Sequence, residues 1–102
     1  MNYLGLSIRV HLAGHLGNYT GRLVDIEIPN VNDVLELLMR LCEMFPSIND
    51  RILDEHGKTR PYVNVFVNED NVRDLQNERT KVRDGDEVYI LPSVAGGTSR
   101  WR

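Results

Sequence analysis

Cys42 is the only cysteine in 102 residues, so no disulfide can form within the chain, and one thiol with three scattered histidines does not make up a zinc ligand set. Long apolar runs are missing too. Nothing approaches the ~18 residues of a membrane-spanning helix, and Met1 to Leu12 alternates instead of forming the apolar stretch of a signal peptide. There is no basic excess: 12 Lys and Arg against 15 Asp and Glu leave a formal charge of −3, the wrong sign for a protein that must neutralise many phosphates. No nucleophile is accompanied by a base and an orienting group. What is left is the expectation of a soluble, cytoplasmic domain whose partners are proteins, with no nucleic acid and no membrane. At this length, with 41% apolar residues, the chain can bury one modest core unaided.

What is present is clear hydrophobic periodicity. Leu6, Ile8, Val10 and Leu12 alternate with polar residues and predict a first strand. Ala13 to Gly21, rich in glycine, predicts a turn, and Val24, Ile26 and Ile28 predict a second strand that closes a hairpin. Val31, Val34, Leu35, Leu38, Leu41, Cys42 and Phe45 recur at spacings of three and four, the stripe of an amphipathic helix capped by Asn30 and stopped at Phe45-Pro46. Ser47 to Arg60 lacks a period and reads as a long loop anchored by Ile48, Ile52 and Leu53. Val63, Val65 and Val67 predict a third strand, and the region of Val72 and Leu75 a short strand or irregular piece. Asp84-Gly85 predicts a tight turn into a last strand carrying Val88 and Ile90. The fold class is therefore α+β, a sheet with one main helix packed on one face. Tyr62, Phe66, Tyr89 and Leu91 fall on the other face, either as a partner-binding patch or as a face covered by the long loop.

Several residues invite a functional reading and do not sustain one. His11 and His15 are four apart but sit in a strand and its turn, so they are not a metal pair. Cys42 lies on the apolar helix stripe and reads as a core residue rather than a sulfur relay. Asn18-Tyr19-Thr20 has the form of a glycosylation acceptor but follows no secretory signal, and Arg100-Trp101-Arg102 holds too few cations to bind nucleic acid. Gly96-Gly97 is different. Two residues without side chains let a backbone enter a narrow channel in an extended path.

The run Asp84-Gly85-Asp86-Glu87-Val88-Tyr89-Ile90-Leu91-Pro92-Ser93-Val94-Ala95-Gly96-Gly97 resembles the C-terminal signature of the ubiquitin-like sulfur-carrier family, which includes the small subunit of molybdopterin synthase and the thiamine sulfur carrier. Val31, Asp33, Val34 and Leu35 are similar to the start of that family's helix, and Val63-Asn64-Val65-Phe66-Val67-Asn68 to its third strand. The stretch from Tyr62 to Arg73 resembles most the carrier that serves a cysteine synthase. The resemblance implies a ubiquitin-like β-grasp domain over residues 1–97, with a mixed sheet of four to five strands.

It also implies a chemistry. An E1-like enzyme uses ATP to adenylate the carboxylate of Gly97, and sulfur then displaces the adenylate to leave a thiocarboxylate, a soft nucleophile that donates sulfur to an accepting synthase. The carrier has no catalytic residues, metal or bound cofactor of its own. Val94, Ala95 and Gly96 provide reach into the partner, and Tyr62, Phe66, Tyr89 and Leu91 dock it. One departure stands out: Thr98 to Arg102 follow the second glycine, so no free carboxylate exists at Gly97. The family resemblance implies that this tail, 98–102, is removed by cleavage between Gly97 and Thr98, as a zinc-dependent peptidase does for some relatives. Two other readings stand beside it, a remnant of cloning and a chain that has lost carrier activity. Beside cysteine biosynthesis stand a role in molybdopterin or thiamine synthesis and a role as a protein modifier joined to lysines.

Overall fold

The structure, a computed structural model, describes residues 7–21 and 24–92. Five strands form one mixed sheet: β1 (Ser7–Leu12), β2 (Asp25–Pro29), β3 (Val63–Val67), β4 (Asp70–Asn71) and β5 (Glu87–Pro92), in the spatial order β2-β1-β5-β3-β4. The β1–β2 pair is the expected antiparallel hairpin, β5 runs parallel to β1, and β3 is antiparallel to both β5 and β4. The last strand in sequence is thus the middle strand of the sheet.

The alternation of each strand sorts its residues cleanly. Ile8, Val10, Leu12, Ile26, Ile28, Val63, Val65, Val67, Val88 and Ile90 are buried on one face. Across that face lies α1 (Val34–Met44), which buries Val34, Leu37, Leu38, Leu41 and Cys42. These side chains form one core with the sheet, closed at its margins by Leu16, Ile48, Ile52, Leu53, Val72 and Val82.

Four local expectations need correction. The helix cap is Asp33, not Asn30: the Glu36 N–H donates to Asp33 Oδ1 at 2.9 Å, while Glu36 Oε1 accepts from the Asn32 N–H at 2.8 Å, close to a reciprocal capping box. Asn30 instead takes a left-handed conformation, φ 61°, which turns the chain from β2 towards the helix and which asparagine tolerates better than most residues. The Ser47–Arg60 loop contains a 3₁₀ turn (Pro46–Ile48) and a one-turn helix, α2 (Asn49–Ile52), with Ile48, Ile52 and Leu53 buried as expected. The short strand lies at Asp70–Asn71, with Val72 in the 3₁₀ turn that follows and Leu75 exposed. Val24 precedes β2 and is exposed, and Gly14–Tyr19 winds as a 3₁₀ helix within the expected turn. Leu6 lies outside the described residues.

The Asp84-Gly85 turn is where expected. Gly85 has φ +89°, a conformation that side chains rarely adopt, and its N–H donates to the Ser7 carbonyl at 3.2 Å, setting β5 beside β1. Among the described residues no helix is long and apolar enough to cross a membrane.

Candidate functional site

The face of the sheet opposite α1 is built by register. Phe66 on β3 is the partner of Tyr89 on β5, Tyr89 the partner of His11 on β1, and His11 the partner of Asp25 on β2. One rung therefore runs across four strands as Phe66, Tyr89, His11 and Asp25, with alternation placing all four side chains on the open face. Leu91 stands beside Asn64 on the next rung, half-buried like Phe66 and Tyr89. Tyr62 is exposed in the turn that leads into β3. The long loop does not cover this patch. Its apolar residues close the helix side of the core instead.

Polar groups hold the rung in shape. The His11 ring stacks on Tyr89, centroids 4.7 Å apart and planes 16° from parallel. Its Nδ1 is 2.6 Å from Asp25 Oδ1 and its Nε2 is 2.9 Å from Glu87 Oε1. Both contacts are hydrogen bonds only when both ring nitrogens carry protons, because a neutral imidazole has one donor. The Tyr89 hydroxyl donates to the same Glu87 oxygen at 3.0 Å. Hydrogen bonds from His11 and then Tyr89 hold the Glu87 carboxyl below its ordinary range, and accepting that bond makes Glu87 raise the Tyr89 phenol. Arg9 and Glu27 form a longer contact on the neighbouring rung, 3.9 Å.

The asparagines of the Val63-Asn64-Val65-Phe66-Val67-Asn68 motif have identifiable tasks. Asn64 Oδ1 accepts from Arg73 Nη1 at 2.7 Å, and Arg73 Nη2 donates to the carbonyls of Val63, Arg60 and Pro61 at 2.8, 3.1 and 3.2 Å. One guanidinium thus gathers the segment on which the end of β5 lies, since Val63 is the partner of Pro92. At the other end, Asn68 Oδ1 accepts from the Glu87 N–H and Asn68 Nδ2 donates to Asp86, both at 3.1 Å.

Of the residues picked out from sequence, Phe66, Tyr89 and Leu91 come together, with Tyr62 at the margin of the group. Val94, Ala95, Gly96, Gly97 and Thr98 lie outside the described residues, as does Arg100-Trp101-Arg102. Cys42 is buried, and burial, followed by the charge of Asp50, pushes its thiol up to about 11, which leaves little thiolate at neutral pH. The sequence reading missed the role of His11, Asp25 and Glu87 in framing the aromatic pair. Alternation put each on the outer face, but only the strand order brings them into contact.

The ThiS family model matches residues 10–97. A putative sulfur carrier protein of Archaeoglobus fulgidus is 36% identical over 92 residues, covering 90% of this chain and 100% of that one. Small archaeal modifier protein 3 of Haloferax volcanii is 44% identical over 62 residues, covering 61% of this chain and 66% of its own length. Among solved structures, the Amycolatopsis orientalis BexX/CysO complex contains a chain that superposes with a TM-score of 0.79 at 32% identity, covering 88% of this chain and 99% of that one.

Proposed function

We propose, from the premise that this chain belongs to the ThiS family of small ubiquitin-like sulfur carriers, that its working terminus is Gly97 and that it donates sulfur from a thiocarboxylate formed there. The observation that carries this reading is the extent of the family match, which runs through the sheet and α1 and stops at Gly97, leaving Thr98 to Arg102 beyond it. Hydrolysis of the Gly97–Thr98 bond by a peptidase would first free the Gly97 carboxylate, which an E1-like partner would then join to the α-phosphorus of ATP with loss of pyrophosphate. Sulfide would then attack the acyl carbon and release AMP, leaving its sulfur on Gly97. The resulting thiocarboxylate is ionised at neutral pH and attacks as sulfur. The partners supply the catalytic groups, and Val94, Ala95 and Gly96 carry the cargo into them.

Cysteine biosynthesis is the acceptor pathway we favour. The support is the similarity to sulfur carrier proteins of the CysO type and to a chain of the BexX/CysO complex, in which a carrier is held by a second protein, as a sulfur-accepting synthase would hold it here. Intact-mass analysis of protein from its native host tests the reading directly. The expected species ends at Gly97, partly with one oxygen replaced by sulfur, and full-length chain alone under all conditions would overturn it.

A second reading has its own support in the similarity to small archaeal modifier protein 3. The activated Gly97 carbonyl would then form an isopeptide bond with lysines of other proteins. Digests would contain lysines carrying the Gly97-terminated end of the chain, and their absence removes this reading while leaving the first.

Docking would use the rung centred on Phe66 and Tyr89. Phe66→Glu places a charge on the open face while the core face of β3 keeps Val63, Val65 and Val67. Binding to the activating enzyme should weaken roughly thirtyfold, about 2 kcal/mol, as for a central aromatic contact, with the melting temperature retained. Unchanged binding would move the interface elsewhere.

A further inference from the structure

The helix side of the domain carries a second surface that the proposed function leaves unused. Between α1 and the segment from Asn49 to Arg60 lies an open cleft of about 520 Å³. Leu35, Met39 and Leu53 supply its apolar lining, and Met39 is 51% exposed although it sits mid-helix. Asp50, Asp54 and Glu55 bring negative charge to it, against one cation, Arg60. Arg60 is already engaged, its Nε donating to the Asp50 carbonyl at 2.7 Å. Asp54 Oδ1 accepts from the Lys58 and His56 N–H groups at 3.0 and 2.8 Å, and these bonds, Lys58 first, keep its carboxyl below the ordinary range. An apolar trough flanked by carboxylates suits a ligand that is aromatic or aliphatic in the middle and cationic on either side.

The chain itself contains such a segment. Arg100-Trp101-Arg102 sets the only tryptophan of the protein between two arginines. The described chain also ends within a short run of hydrogen bonds from that cleft. β5 ends at Pro92, the partner of Val63; the Val63 N–H donates to the Arg60 carbonyl at 3.0 Å, and the Arg60 N–H to the Ile52 carbonyl at 2.8 Å. The point from which residues 93–102 continue is therefore linked through Arg60 to α2 and the wall of the cleft. Residues 93–99, fully extended, can span about 25 Å.

We propose that residues 98–102 dock into this cleft of their own domain, with Trp101 against Leu35 and Met39 and the two arginines towards Asp50, Asp54 and Glu55. The tether sets a local concentration on the order of millimolar, so a weak contact suffices. The consequence rests on the reading of Gly97 as the working terminus: the untrimmed chain would hold Gly96-Gly97 back against its own domain, and trimming would free both the glycines and the cleft.

Because Trp101 is the only tryptophan, its fluorescence reports this segment alone. The 102-residue protein at low ionic strength should show a blue-shifted emission and acrylamide quenching several-fold weaker than a free peptide of residues 93–102. Met39→Glu and Glu55→Lys, both at exposed positions, should each move quenching towards the peptide value, as should added salt, which screens the ion pairs. Helical circular dichroism shows that each variant is folded, and either one suffices for the test. Quenching equal to that of the peptide, or protection unaffected by the folded variants, overturns the proposal. Protection lost on dilution overturns it in favour of a second copy of the chain. The two proposals fail separately: an exposed Trp101 leaves the carrier reading standing, and failure of a chain ending at Gly97 to take up sulfur leaves the docked tail standing.

Discussion

A chain ending at Gly97 should take up an adenylate and then sulfur when incubated with an E1-like activating enzyme, ATP and a sulfur source, while the 102-residue chain takes up neither. The expected effect is all-or-none because it rests on bond type. In the long chain the Gly97 carbonyl belongs to an amide with Thr98, whose oxygen is a much poorer nucleophile towards the α-phosphorus of ATP than a carboxylate and whose nitrogen is a poor leaving group. Intact mass reads both outcomes in one sample, since thiolation exchanges one oxygen for sulfur. Equal modification of the two chains would show that the reacting group lies elsewhere. Modification of neither, by an enzyme shown to activate a related carrier, would remove the chain from the working members of its family.

The largest effect on stability should come from the middle of α1. Leu38 is fully buried between the helix and the sheet, so Leu38→Ala removes apolar contacts and leaves a void that neighbouring side chains fill only in part. A loss of about 2–5 kcal/mol is expected, a large share of the roughly 5–15 kcal/mol available to a small domain. The melting temperature should fall by roughly 10 °C or more. Urea unfolding of the two proteins measures the difference, and a loss below ~1 kcal/mol would mean that the helix does not seat on the sheet as described. Leu35→Ala, at a half-buried position on the cleft side of the same helix, should cost visibly less.

Much of this arrangement is legible in the residues, and the exceptions have physical reasons. The strands over Ile8, Ile26, Val63 and Val88 and the helix over Val34 to Met44 repeat long enough for their period to stand out. Asn30 and Asp33, three positions apart, both have capping chemistry. The choice between them depends on the isolated bridge between Asp33 and Lys81 and on the Val34 N–H donating to the Thr80 carbonyl, contacts from far along the chain. The turns of Pro46–Ile48 and α2 are each a single turn, too short to display any period, so only their buried residues Ile48, Ile52 and Leu53 could be read. The candidate site divides in the same way. Gly96-Gly97 and the aromatic residues of the outer face stand in the sequence, whereas the clamp on His11 needs β2, β1 and β5 in their spatial order, which pairs residues more than seventy positions apart.

That spatial order also has a bearing on biosynthesis. Because β5, made last, sits between β1 and β3, neither half of the sheet can join the other until Glu87–Pro92 has been translated and has left the ribosome. Until then the β1–β2 side and the β3–β4 side have no strand to join them, and the parallel pairing of β1 with β5 carries the slow closure of a long loop. A ribosome paused before the final strand would therefore hold a nascent chain that lacks the complete five-stranded sheet. Gly97 follows the strand that completes the scaffold, so synthesis makes every strand of the described sheet before it reaches that residue.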